Sequence, residues 1–68
     1  MSNILTKREK EIFDYLAQNK TTAQIAQLIN VSDKTVRNHI SNVIGKLGVN
    51  SRTQALIELI RLNIITIN

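Results

Sequence analysis

Apolar residues along the chain return every three to four positions in four separate stretches. The first holds Ile12, Phe13 and Leu16, and the second Ile25, Ala26 and Ile29. The third holds Val36, Ile40, Val43, Ile44 and Leu47, and the fourth Ala55, Leu56, Leu59 and Leu62. This is the spacing of helices with one inward face, and no stretch alternates with period two for long. Capping residues place the boundaries. Thr6-Lys7-Arg8-Glu9 and Thr21-Thr22-Ala23-Gln24 both read as capping boxes, in which a hydroxyl and an acceptor three residues on can satisfy each other's amides. Ser51-Arg52-Thr53-Gln54 reads as a third box, and Ser32 caps the remaining helix. Asn30 and Gly48 are stop residues that tolerate a left-handed backbone. The spacing predicts helices over about 7–18, 22–29, 33–47 and 52–62, with an apolar tail at 64–67 whose end the pattern does not define. With no proline, repeat or linker, residues 1–68 read as a single all-α domain.

The second and third helices are joined by only about three residues. That is the helix-turn-helix arrangement, whose second helix lies in the DNA major groove. A helical wheel of the third helix puts its apolar residues on one side and Lys34, Asn38, Ser41 and Gly45 on the other. Arg37 lies on one flank, and Thr35, Asn42 and Lys46 on the other. This outer face offers guanidinium, ammonium, amide and hydroxyl groups and no carboxylate. Such groups match base edges and phosphates: Arg or Lys to guanine, Asn to adenine, Ser to either. Lys34 is therefore a candidate base reader, and Thr35, Asn42 and Lys46 are candidate phosphate contacts. Lys20, Thr21 and Thr22 surround the free amides at the start of the second helix, which form a natural phosphate site. Gly45 fits either a close backbone approach or a tolerated surface glycine.

Composition narrows the field further. The 68 residues include no cysteine and one histidine, which leaves no disulfide framework and no metal site. Nothing approaches the roughly 20 apolar residues of a membrane span, and the start is too polar for a secretory signal. A soluble cytoplasmic protein without cofactor or small-molecule pocket is the expectation. The net charge of +4 is localised. Residues 1–19 carry Lys7, Arg8 and Lys10 against Glu9, Glu11 and Asp14, and residues 53–68 carry Arg61 against Glu58. The segment 20–52 carries Lys20, Lys34, Arg37, Lys46 and Arg52 against Asp33 alone, so the whole excess sits around the third helix. That polarity points to a polyanion partner.

These residues together resemble the LuxR/GerE-type helix-turn-helix family. The resemblance is carried by Leu5-Thr6-Lys7-Arg8-Glu9, Gln24-Ile25-Ala26, Val31 to Ile40, Lys46-Leu47-Gly48-Val49 and Ser51-Arg52-Thr53-Gln54-Ala55. The stretch Thr35-Val36-Arg37-Asn38-His39-Ile40-Ser41-Asn42 is similar to the GerE subgroup. The resemblance implies a tetrahelical LuxR-type domain of the winged-helix-like superfamily that binds double-stranded DNA, regulates bacterial transcription and dimerises through its fourth helix. It implies Arg37, Asn38 and Ser41 as base readers. Most members carry an upstream receiver or sensor domain. The chain therefore reads either as a free-standing regulator or as the output domain of a two-component response regulator.

The fourth helix has a second apolar stripe, Thr53, Ile57, Ile60 and Ile64, roughly opposite the first. A surface helix needs one stripe, so the second is the expected homodimer face. Glu9 and Arg52 both fall on inner faces and are expected to pair, because an unpaired buried charge is costly. Two rival functions remain. A catalytic triad from Asp33, His39 and a serine fails, because residues six apart on one helix point to different sides. A module that docks on RNA polymerase without strong DNA reading would use the isoleucine stripe.

Overall fold

The computed structural model describes residues 4–67, so the outermost positions of the expected 1–68 domain lie outside the described residues. Four helices follow in order: α1 (Lys7–Ala17), α2 (Thr22–Ile29), α3 (Asp33–Leu47) and α4 (Arg52–Arg61). There is no strand among the described residues. α1 and α4 end one residue earlier than the apolar pattern predicts, because Gln18 and Leu62 serve as C-caps.

Local chemistry sets each start. The Thr6 and Thr21 hydroxyls accept from the Glu9 and Gln24 amides, and the Glu9 and Gln24 side chains reach back to the two cap amides. The expected third box is only half formed. Ser51 accepts from the Gln54 amide at 3.2 Å, but Gln54 Oε1 accepts from the Asn50 amide, one residue earlier. The extended Ser51 backbone (φ −154°) accompanies that shift.

Every helix is followed within two residues by one with positive φ: Asn19, Asn30, Gly48 and Asn63. In each case the following amide bonds back to a carbonyl five positions earlier, as from Val31 to Ala26 at 3.0 Å and from Ile64 to Leu59 at 2.9 Å. These are Schellman closures, and three of the four use asparagine instead of glycine. At Asn30 (φ 59°, ψ 50°) the closure sets the α2–α3 turn. Asn30→Ala is expected to cost about 1 kcal/mol and to lower the melting midpoint by about 4–8 °C, while Asn30→Gly stays near the parent. Melting curves that coincide for the alanine and glycine variants would refute this account of the turn.

The core is built from one face of every helix: Ile12, Phe13 and Leu16; Ile25, Ala26 and Ile29; Val36, Ile40 and Val43; Ala55 and Leu59. α3 runs through the middle and packs on all three other helices, whereas the backbones of α2 and α4 stay apart. Leu5 closes one end of the core. The tail, undefined by the pattern, is turned back by Asn63 so that Ile65 is only 2% exposed. It lies against the Lys10–Gln18 side of α1. Leu62, expected to point inward, is 39% exposed as the C-cap of α4.

Candidate nucleic-acid interface

The anchoring of α3 decides which of its side chains are free. Val36, Ile40 and Val43 are buried, and Ile44 and Leu47 are half-buried against the core. The opposite side therefore faces outward along the helix. Lys34, Arg37, Asn38, Ser41, Asn42 and Gly45 are the candidates there. Of these Arg37, Ser41 and Asn38 are exposed, as are Lys34, Asn42 and Gly45 in whole or in large part, and Thr35 lies at the margin. A Cβ on Gly45 would meet no atom within 4 Å, so nothing inside the fold requires glycine there.

The start of α2 holds the remaining candidates. Thr21 is exposed, and Lys20 and Thr22 are half-buried. The Thr21 hydroxyl accepts from the Gln24 amide at 3.1 Å, while the Thr21 amide donates to Gln24 Oε1 at 2.8 Å. The first-turn amides of Thr22 and Ala23 have no helical acceptor, as at any helix start. The Thr35 hydroxyl shares a 2.9 Å hydrogen bond with Ser32, whose Oγ also accepts from the Thr35 amide.

The ion pairs differ from those expected. Glu9 is 4% exposed, as its inward position predicts, but its partner is Lys46, whose Nζ donates to Glu9 Oε1 at 2.5 Å. Arg52, the expected partner, is exposed and makes no ion pair among the described residues. The reason is the packing order. The last turn of α3 passes the first turn of α1, and Lys46 also donates to the Ile4 carbonyl at 3.3 Å. The wheel assigns Lys46 to phosphate; its ammonium is instead turned toward α1 and its charge is matched there.

Burial alone would push the Glu9 carboxyl above its ordinary range. The Lys46 hydrogen bond, the Thr6 amide, the Lys46 charge and the Thr6 hydroxyl together outweigh it and hold the carboxyl below 4.5. The second unexpected pair joins Arg37 Nη1 to Asp33 Oδ2 at 3.0 Å, one turn apart on α3. An acid four residues before an arginine on one helix is a readable signal of such a pair. Lys20, Lys34 and Arg52 are then the cations of the central segment without an acidic partner among the described residues.

The family model for luxR-family bacterial regulatory proteins matches residues 3–59. The chain belongs to this family. It is 58% identical over 59 residues to the spore germination protein GerE of Bacillus subtilis, covering 87% of this chain and 80% of that one. Against the transcriptional regulatory protein DegU of Brevibacillus brevis the identity is 41% over 59 residues, covering 87% of this chain but 25% of that protein. A solved structure of the transcription factor GerE superposes with a TM-score of 0.95 at 48% identity, over 98% of this chain and 100% of that one. The LuxR-family member described here is thus an all-α helix-turn-helix protein of a class that binds DNA and regulates transcription, and not an enzyme. Among the described residues no helix is long and apolar enough to cross a membrane.

Proposed function

We propose that the chain reads a specific double-stranded DNA site as a homodimer, with α3 in the major groove. The observation that carries this reading is the outer face of α3. Five polar side chains able to donate to base edges or phosphates, Lys34, Arg37, Asn38, Ser41 and Asn42, stand on it while the helix is held from behind by Val36, Ile40 and Val43. In this reading Arg37, Asn38, Ser41 and Lys34 contact bases. Lys20, Thr21 and Thr22 bind a phosphate at the α2 start, and Thr35 and Asn42 flank the groove. Lys46 is left out of the phosphate set because Glu9 holds it.

The dimer face proposed is α4. Ile57 is 60% exposed, and Thr53 is exposed beside it. Ile60 and Ile64 are half-buried and serve the core as well. Ile57 is therefore the position to test, since a charge at Ile60 would also disturb the interior. A two-fold pair of α4 helices would set two copies of α3 about one DNA turn apart and demand two half-sites.

One experiment tests both parts. Duplexes are selected from a random pool, and binding is titrated over a range of salt. Three cations per subunit that displace counterions on binding, Lys20, Lys34 and Arg37, predict a slope of log affinity on log salt of about −5 to −6 for the dimer. Ile57→Asp is expected to sediment as a monomer and to show about half that slope. Folded protein that ignores every duplex at low ionic strength would end the DNA reading. A variant that remains dimeric would end the α4 assignment alone.

A further inference from the structure

Asp33 is the single acid of segment 20–52, set against five cations. It occupies the first residue of α3, one turn before Arg37, and its Oδ2 lies 3.0 Å from Arg37 Nη1. Its other oxygen, Oδ1, is shielded from water and has no hydrogen-bond partner. Such a placement is unfavourable in two ways. The charge repels phosphate on the face that meets DNA, and a desolvated oxygen without a donor is costly. Starting the helix does not require it. Ser32 already caps α3, and α2 and α4 begin with no acid in their first turns.

We propose that Asp33 is a positioning residue for Arg37, which raises selectivity for sequence and lowers affinity for DNA in general. This rests on the base contact proposed above for Arg37. A guanidinium carries five N–H donors in a planar fork. Asp33 engages the Nη1 end and leaves the remaining donors outward, on a side chain that is 60% exposed. A guanine edge presents N7 and O6 side by side and accepts two of those donors while the carboxylate keeps its own. A phosphate competes with the carboxylate for the same charge and gains nothing from the orientation. Holding the long side chain in one arrangement before binding also removes part of the ordering entropy from the base contact. Attraction at this position is then strong only where base acceptors line up with the fork.

The test compares dissociation constants for two probes over a range of salt: a duplex selected by the parent chain from a random pool, and a random duplex. In Asp33→Asn both are expected to bind more tightly, the random one more so. The ratio between them falls about three- to tenfold, and the salt slope on the random duplex steepens by about 1 per subunit. Asp33→Glu keeps a carboxylate within reach of Arg37 and is expected to restore the ratio. In an Arg37→Ala background, Asp33→Asn is expected to leave the ratio where Arg37→Ala put it.

Several results overturn the proposal. If Arg37→Ala lowers the ratio and Asp33→Asn does not, base reading stands and positioning falls. Positioning falls equally if Asp33→Asn has the same effect with Arg37 absent. If Arg37→Ala itself leaves the ratio intact, the base contact falls and takes the positioning role with it. A residue that only started the helix would weaken both duplexes alike and lower the melting midpoint, which also refutes the assignment.

Discussion

Replacing Glu9 with alanine is expected to destabilise the fold by about 2–3 kcal/mol and to lower the melting midpoint by about 10–20 °C. The carboxylate is nearly inaccessible and closes two connections at once. Oε1 accepts from the Thr6 amide at 2.9 Å, completing the cap of α1, and it receives Lys46 from the last turn of α3. Alanine removes both and leaves the Thr6 amide without its acceptor. The upper range for a broken buried pair, about 3–5 kcal/mol, is not reached, because the Lys46 side chain is 38% exposed and regains water.

The same residue sets an acid limit. The folded carboxyl titrates below its ordinary 4.5, so folding favours its ionised form. The stabilisation is fully present above the unfolded value and is lost as pH falls through the folded one. Glu9→Gln keeps the cap acceptor and removes only the charge. Its midpoint is expected to fall below the parent's at about pH 7, with the gap narrower at a pH below the carboxyl's ordinary 4.5. A gap of equal size at both pH values would show that the charge on Glu9 contributes nothing.

Arg37→Ala is expected to cost about 1–3 kcal/mol on a selected duplex, about 5- to 150-fold in affinity, with a much smaller loss on random DNA. The guanidinium is the one group on the α3 face able to present a planar fork to guanine, and its exposure leaves it free to do so. The variant keeps the core intact, since Arg37 is not part of it, so the melting midpoint should stay close to the parent's. Titration of both duplexes decides the matter. Equal losses would make Arg37 a phosphate contact and move the reading of bases to Lys34, Asn38 and Ser41.

Much of the molecule is legible in the sequence because periodicity and caps are local. The spacing of Val36, Ile40 and Val43 dictates which side of α3 must be buried, and hence that Asn38 and Ser41 face out. Thr6, Thr21 and Ser32 mark their helix starts because a hydroxyl meets an amide three residues on, whatever surrounds it. The failures share a different cause. The inward position of Glu9 follows from its wheel, yet a wheel gives the direction of a side chain and not the element it will meet. Arg52 and Lys46 are equally plausible partners until the crossing of α1 and α3 brings one of them close. Ile60 and Ile64 form a second stripe on the wheel, but Ile60 is half-buried against the core, and Ile64 lies beyond the end of α4, past the left-handed turn at Asn63.

The order of residues by itself determined four amphipathic helices, their starts, the short α2–α3 turn at Asn30, the basic central segment and the side of α3 turned to solvent. Tertiary structure alone decided that Lys46 and not Arg52 pairs with Glu9, that Ile57 is the most exposed isoleucine of α4, and that the tail folds back to bury Ile65. The division is physical. Caps and periodicity act within one or two turns of backbone, whereas ion-pair partners and the depth of burial depend on how helices distant in sequence cross.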